Sequence, residues 1–345
     1  MKKAKRKNGL LFLLMIVVII TMMFIAHIQA DKVFEINGPD DGVEELNAVG
    51  NKFTAVSKTR KLYIWDWNNF RNKPMIVDVQ AEQIAYLGQD RIIWTSARMP
   101  GSLLVTDFNG NKTYKEYKID YGWKCQKLRV CRNGRFVAIL LFPEDSSVNQ
   151  VILAFVELDR QEINKIIAFE QQDNLTIYNI MVSEDGSFLT AVGAGNEGAW
   201  ICLADTNKKQ IRWQNNLSNC ENFTHSSISP DGKTIYAGGI GRTLYSFKAD
   251  NGSLLAERQV KEYYKENDKQ RITCINISPD NQFVAVGIEP SASAWLWRTS
   301  SSAKIRVFNT GHYINGLVFS PDSSLLVSSN WRGDEKMKIW KVPQK

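Results

Sequence analysis

Apolar positions along the chain alternate over short stretches, and residues that favour turns separate those stretches. Residues 311–342 show the pattern most clearly, because Leu317 and Phe319 share one side of a short strand. Residues 320–323 then read Ser-Pro-Asp-Ser, in which proline presets φ and the Asp and Ser side chains bond to their own backbone. Two further short apolar stretches follow. The pattern predicts a unit of three strands joined by tight turns.

Six degraded copies of this unit precede it along the chain. The turn between the first and second strand recurs at intervals of 39 to 52 residues, and a second marker at the end of the third strand keeps the same step. Two markers that share one period indicate a repeat architecture in which every unit is a small sheet. The turns are marked by Asn51, Asp90, Gly134, Gly186, Gly232, Asn281 and Ser323.

The last unit resembles the WD repeat, whose pattern runs from Gly-His through Ser-Pro-Asp-Gly to a Trp-Asp pair. His312 follows the opening glycine, Asp334 precedes Trp340 by six residues, and Lys341 replaces the final Asp. The resemblance implies that His312, Asp334 and Trp340 join a serine of the second strand in a buried hydrogen-bond network. These three residues are therefore predicted to be structural.

The resemblance implies an all-β, seven-bladed β-propeller over residues 32–345. The last unit supplies only three strands, so we expect residues 32–38 to add the fourth by pairing with the strand at 336–341. Closing the ring in this way removes an exposed sheet edge. Some middle units are also similar to the repeats of pyrroloquinoline-quinone-type propellers, since Asp205 and Trp213 keep the spacing of that family.

The N-terminal region has the pattern of a membrane segment. Residues 10–28 are apolar except for one Thr and one His, and as a helix they would span about 28 Å, close to the thickness of a bilayer core. Residues 1–9 are basic and residues 31–45 are acidic, so the positive-inside rule places the N-terminus in the cytoplasm. The segment is either one transmembrane helix or the core of a cleaved signal peptide, and its length favours an anchor. We expect an extracytoplasmic propeller, periplasmic in a diderm bacterium.

Charge and cysteine content exclude several classes of function. The formal net charge is +7, but five of the basic residues lie in the first seven positions, and the remainder carries only +2. The propeller therefore has no basic stripe of the kind that binds nucleic acid. The five cysteines form no C-x-x-C pair, which argues against a structural zinc site. We interpret them as small buried apolar side chains, with Cys202 and Cys220 as the pair to check for a disulfide.

No sequence motif of a common enzyme class occurs, and no cofactor or metal is expected. His225 neighbours Ser226, and Asp231 is near, but a histidine on an innermost strand is more often a core or channel residue. We therefore expect a protein that is not an enzyme.

The candidate binding residues lie in connections between strands. Tyr263 and Tyr264 stand among dense charge in residues 261–270, and Trp331 lies in the loop after the second strand of the last unit. Exposed aromatic residues are enriched at interfaces, and loops hold function disproportionately. The sequence favours a membrane-anchored scaffold that binds protein partners. The alternatives are a ligand-sensing or envelope-assembly factor, and a propeller enzyme with a site in the central channel.

Overall fold

The computed structural model describes residues 34–145, 147–148, 150–160, 162–170, 175–260, 270–301, 303–311, 313–332 and 336–343. The predicted basic segment, residues 1–9, and the predicted membrane segment, residues 10–28, lie outside these ranges. Within them, no helix is long and apolar enough to span a membrane. The described helical structure is a single 3-10 turn, Trp67–Asn69.

The described residues form 28 strands, and buried positions dominate the second and third strand of most units. In chain order the strands are β1 (Phe34–Ile36), β2 (Val43–Val49), β3 (Lys52–Ser57), β4 (Leu62–Asp66), β5 (Met75–Val77), β6 (Gln83–Gly88), β7 (Arg91–Ser96), β8 (Met99–Asp107), β9 (Thr113–Lys118), β10 (Trp123–Val130), β11 (Phe136–Pro143), β12 (Gln150–Glu157), β13 (Asn164–Glu170), β14 (Thr176–Val182), β15 (Phe188–Gly195), β16 (Gly198–Asp205), β17 (Gln210–Leu217), β18 (Asn222–Ile228), β19 (Thr234–Ile240), β20 (Thr243–Lys248), β21 (Leu254–Gln259), β22 (Arg271–Ile277), β23 (Phe283–Glu289), β24 (Ser293–Arg298), β25 (Lys304–Asn309), β26 (Ile314–Phe319), β27 (Leu325–Asn330) and β28 (Met337–Lys341).

These strands form an all-β propeller, but the number of separate sheets differs from the prediction. Five sheets have four strands each: β2–β5, β6–β9, β10–β13, β14–β17, and β1 with β26–β28. The sixth sheet has eight strands, made of two consecutive meanders, β18–β21 and β22–β25. The prediction of seven separate blades is wrong in this respect, because one bridge pair, Ile240 with Arg271, joins two expected units into one sheet.

The first and last described strands belong to the same sheet. β1 pairs antiparallel with β28, with Phe34 opposite Ile339 and Ile36 opposite Met337. β1 is thus the outermost strand of a sheet whose other three strands come from the end of the chain. β28 therefore lies between β1 and β27, and its paired residues are not at an edge of the sheet.

The first strand of every unit is innermost, and these strands contact one another around the ring, β26 next to β2 included. Most of them carry a β-bulge near their start, where the pairing register shifts by one residue. Three bulge side chains donate a hydrogen bond to a backbone carbonyl at the bulge of the next unit. They are Thr224 to Ile272 at 2.9 Å, Thr273 to Ile314, and Asn315 to Val43. The last of these bonds links the final unit to the first.

Apolar cores lie between neighbouring sheets. The core between the last and first sheets contains Ile36 and Ile339 from one side and Phe53 and Trp65 from the other. Phe53 is fully buried and stacks on Trp65 at a ring-centroid distance of 5.2 Å. This packing and the hydrogen bond from Asn315 both hold the last sheet against the first.

The turn after the innermost strand repeats one hydrogen-bond pattern. In residues 229–234, Ser229 Oγ donates to Asp231 Oδ1 at 2.6 Å and accepts from the Thr234 N–H at 2.9 Å. The same arrangement occurs around Ser183, Ser278 and Ser320. At the equivalent position Cys131 Sγ accepts from the Phe136 N–H at 3.2 Å, so sulfur replaces the serine oxygen. These local hydrogen bonds satisfy backbone N–H groups at the turn that do not bond to the neighbouring strand.

Candidate functional site

The antiparallel order of the strands gives the ring two distinct ends. The upper face carries the turns between the second and third strand of each unit and the connections to the next unit. The lower face carries the turns between the first and second strand and between the third and fourth. The predicted binding residue Trp331 lies in the turn between β27 and β28, on the upper face.

A pocket of about 630 Å³ opens around Trp331. The turns and connections of three successive units supply its walls, because adjacent units bring their upper-face loops together around the ring. Trp331 is 59% exposed and Tyr313 is 44% exposed, so two large aromatic rings face solvent at this place. The pocket is lined by Lys58, Glu289, Pro290, Ala292, Gly311, Tyr313, Trp331 and Arg332.

The pocket combines these aromatic rings with cations. Lys58 Nζ lies 5.0 Å from the centroid of the Trp331 ring, at the distance of a cation–π contact. Arg332 follows Trp331 and is exposed, and its N–H donates to Asn330 Oδ1 at 3.1 Å, which orders the turn. The lining carboxylate, Glu289, forms an ion pair with Arg271. Among the described residues of the lining, this leaves the cations Lys58 and Arg332 beside the two aromatic rings, an arrangement that suits a ligand with acidic and apolar groups.

Trp340 occupies a different environment from Trp331. It is 8% exposed, its ring lies 5.1 Å from that of Phe308, and its Nε1–H donates to Ser328 Oγ at 3.1 Å. The bond to Ser328 satisfies the indole N–H inside the sheet. Of the residues predicted to form a network with Trp340, His312 and Asp334 lie outside the described residues. The predicted binding residues Tyr263 and Tyr264 also lie outside them.

The central channel is lined by polar and charged side chains of the innermost strands. Arg129 forms an ion pair with Glu45 across two units, and Lys127 Nζ donates to the Tyr178 carbonyl at 2.6 Å. Towards the lower face, Arg132 donates to the Ile277 carbonyl at 3.2 Å. These contacts cross between units and leave a small cavity of about 50 Å³ beside Arg132.

Burial and neighbouring charge shift the pKa values of the channel groups. Burial, reinforced by Lys127 and Arg129, lowers the pKa of His225 to about 3. Burial also lowers the pKa of Lys127 to about 8, and Arg129 adds to the effect. Burial raises the pKa of Glu184, although Arg132 opposes the shift. His225 is thus a neutral member of the channel wall, and its side chain contacts Thr224 Oγ1 at 3.2 Å.

Among the described residues, the cysteines form no disulfide and the acidic residues form no metal site. All five cysteines are buried and free, so Cys202 and Cys220 are not bridged. In the ranges that the structure describes, no three His, Cys, Asp or Glu side chains lie close enough to hold a metal ion.

The sequence indicated Trp331 as a candidate binding residue but not the residues that surround it in the pocket. Lys58 lies in the turn between β3 and β4, the position in its own unit that Trp331 has in the last unit. Tyr313 lies in the connection from β25 to β26, which reaches the same face. Aligning the units by strand order would have placed both on the upper face. The pairing of Ile314 with Asn330 places Tyr313 near Trp331 within one sheet, whereas Lys58 comes near Trp331 only because the ring closes.

Comparisons with known proteins agree with this architecture. Residues 302–341 match the WD40 family, described as "WD domain, G-beta repeat". The fold is similar to that of the β-propeller domain of Cps50 (Swd1) from Myceliophteria thermophila, with a TM-score of 0.66 and 12% sequence identity over 90% of this chain and 100% of the other. That likeness concerns the fold alone, and comparison with curated proteins found no match. On the fold, the turn chemistry and the family match, the chain is a β-propeller whose last unit is similar to a WD repeat.

Proposed function

We propose that this propeller is a non-enzymatic scaffold that binds a protein partner through the pocket on its upper face. The observation that carries the proposal is the exposed aromatic pair, Trp331 and Tyr313, at the wall of a pocket of about 630 Å³. Tryptophan and tyrosine are the side chains that most often contribute large binding energies at interfaces. Lys58 and Arg332 beside them favour a partner segment that carries acidic as well as apolar side chains.

The walls of this pocket come from three neighbouring parts of the ring. They are the upper-face loops of the meander β22–β25, of the sheet formed by β1 and β26–β28, and of the sheet β2–β5.

We further propose that residues 10–28 anchor the propeller in a membrane, with residues 1–9 in the cytoplasm and the propeller on the other side. The supporting observations are the apolar run itself and the change from basic to acidic residues across it. An anchored scaffold would hold its partner close to the membrane, in the periplasm of a diderm bacterium.

Affinity capture with the purified full chain tests the binding site. Trp331→Ala should weaken binding of a captured partner by about 30-fold or more, as expected for loss of a hot-spot aromatic residue. Tyr114→Ala is the matched control, because Tyr114 is 47% exposed on β9, away from the pocket. The measured affinity of the Trp331→Ala variant for the partner should be lower than that of the Tyr114→Ala variant. Equal affinities would refute the pocket as the binding site, and a stoichiometric bound chromophore or metal would contradict a scaffold.

The predicted tyrosines give a second comparison. Tyr263→Ala combined with Tyr264→Ala should weaken the same complex if the connection between β21 and β22 contributes to the interface. Unchanged affinity in that variant, together with a loss in Trp331→Ala, would confine the interface to the pocket.

A further inference from the structure

The direction of β1 determines on which side of the ring the described chain begins. β28 runs from the upper face, where it follows the turn at Trp331, to the lower face at Lys341. β1 is antiparallel to it, with Phe34 opposite Ile339 and Ile36 opposite Met337. Phe34 is therefore nearer the lower face than Ile36, and β1 begins on that side, at the outer edge of its sheet.

The chain between the proposed anchor and the ring is short. Residue 28 and Phe34 are six peptide units apart, which span at most about 22 Å when fully extended. A six-residue strand such as β26 is itself about 20 Å long. Turning the upper face towards the membrane would use nearly the whole tether to climb the outside of the ring. With the lower face towards the membrane, the tether needs no such detour.

The surface around this junction has a chemistry that fits lipid headgroups. We name it the tether rim, and it consists of Phe34, Phe70, Arg71, Lys73, Met75 and Ile76. The rings of Phe34 and Phe70 lie 5.5 Å apart, and the Arg71 guanidinium lies 4.7 Å from the Phe34 ring. These contacts hold the loop between β4 and β5 against β1, and Met75 and Ile76 follow that loop directly in the chain.

Charge and apolar exposure combine on the tether rim. Arg71 and Lys73 are exposed, and neither has an ion pair within the described part of the chain. The neighbouring carboxylate of Glu35 is paired with Lys336 at 3.5 Å. Met75 is 50% exposed and Ile76 is 55% exposed at the start of the outer strand β5. Basic residues beside exposed apolar side chains are the combination that binds anionic membrane surfaces.

We infer that the tether rim rests on the anionic headgroup surface of the bilayer that holds the anchor, so that the upper face and its pocket point away from the membrane. This inference rests on the proposed membrane anchor. It adds an orientation: the pocket at Trp331 stays accessible to partners in the aqueous compartment, and the lower face lies against the lipid.

Site-directed labelling of the full chain in vesicles tests the orientation. All five native cysteines are buried, so a thiol-reactive, environment-sensitive fluorophore selects an introduced cysteine. Asn72→Cys places the label on the tether rim without removing a basic residue, Lys208→Cys places it on the lower face across the ring, and Lys58→Cys places it on the upper face. Vesicles of phosphatidylcholine and phosphatidylglycerol carry a lipid-bound quencher at the headgroup. We expect strongest quenching at residue 72, weaker quenching at 208 and none at 58.

Charge variants test whether the rim itself makes the contact. Arg71→Gln combined with Lys73→Gln, with the label at residue 208, should lower the membrane-contacting population by roughly tenfold or more, since each basic residue near an anionic surface contributes substantially to binding. Lys208→Gln combined with Lys209→Gln, with the label at residue 72, is the matched control and should leave quenching unchanged. In vesicles of phosphatidylcholine alone, the variant with both rim cations replaced should show the same quenching as the protein with the original rim.

The outcomes separate the orientation from the anchor. Flotation of the vesicles after an alkaline wash reports the anchor alone, and a chain that does not float overturns both proposals. A chain that floats with residue 58 quenched as strongly as residue 72 overturns the orientation and leaves the anchor intact. A chain that floats with no quenching at residue 72 overturns the contact with lipid, and so does quenching that is the same with and without the charges of Arg71 and Lys73.

Discussion

Replacing Ile36 with alanine tests how strongly β1 holds the ring together. Ile36 is 8% exposed and packs in the core between the last and first sheets, where Met337 and Ile339 are almost fully buried. The substitution removes three buried carbon atoms, each worth about 0.8 kcal/mol, and leaves part of their volume empty. We expect the free energy of unfolding to fall by about 2–4 kcal/mol.

The matched control is Ile76→Ala, the same substitution on the outermost strand of the neighbouring sheet. Ile76 is 55% exposed, so its truncation should change the free energy of unfolding by less than about 0.5 kcal/mol. The contrast between the two variants isolates burial at the closing sheet from any general effect of shortening an isoleucine.

Urea denaturation followed by tryptophan fluorescence measures both effects, because Trp65 and Trp67 lie in the same core as Ile36. Thermal unfolding gives an independent value: for roughly 310 residues the entropy of unfolding near the midpoint is about 0.65 kcal/mol per kelvin, so Tm should fall by about 3–6 °C. Equal shifts in the two variants, or a loss below about 0.5 kcal/mol in Ile36→Ala, would show that β1 does not contribute to closure.

Two further predictions concern the channel and the repeated turn. The pKa of His225 is lowered by burial and by Lys127 and Arg129, so below pH 6.5 the unfolded chain binds a proton that the folded chain excludes. The free energy of unfolding should therefore fall by about 1 kcal/mol as the pH is lowered from 7 to 5.5. In the His225→Gln variant, the urea midpoint should depend less on pH in that range. An unchanged pH dependence would contradict the role of His225. Cys131→Ser should keep the turn, whereas Cys131→Ala removes the acceptor for the Phe136 N–H and should be about 1 kcal/mol less stable than the serine variant. Equal urea midpoints for these two variants would show that this bond contributes nothing.

The repeat and its strands are readable from the sequence because their causes are local. Alternation of apolar residues defines a strand, and a Ser-Pro-Asp turn forms its hydrogen bonds within six residues, as Ser229 and Thr234 show. Trp340 is recognisable for the same reason, since its partner Ser328 belongs to the same small sheet. Local periodicity therefore predicted the all-β propeller and the type of its units.

The number of separate sheets depended on contacts that no local pattern records. One bridge between Ile240 and Arg271 unites two meanders, and its formation depends on how closely two units approach at their edges. The bonds from Thr224 and Asn315 to neighbouring units have the same character, because a threonine or asparagine at a bulge has no local sequence mark of its partner.

The pocket is the clearest product of tertiary structure. Trp331 stood out in the sequence as an aromatic residue in a loop, but Lys58 and Tyr313 did not. Lys58 comes to lie 5.0 Å from the Trp331 ring only because the ring closes and brings the first unit beside the last. The sequence alone thus determined which strands and turns form, through short-range periodicity and turn chemistry. Tertiary packing decided which of those turns meet, because contact between residues so far apart in the chain requires all the intervening units to be in place.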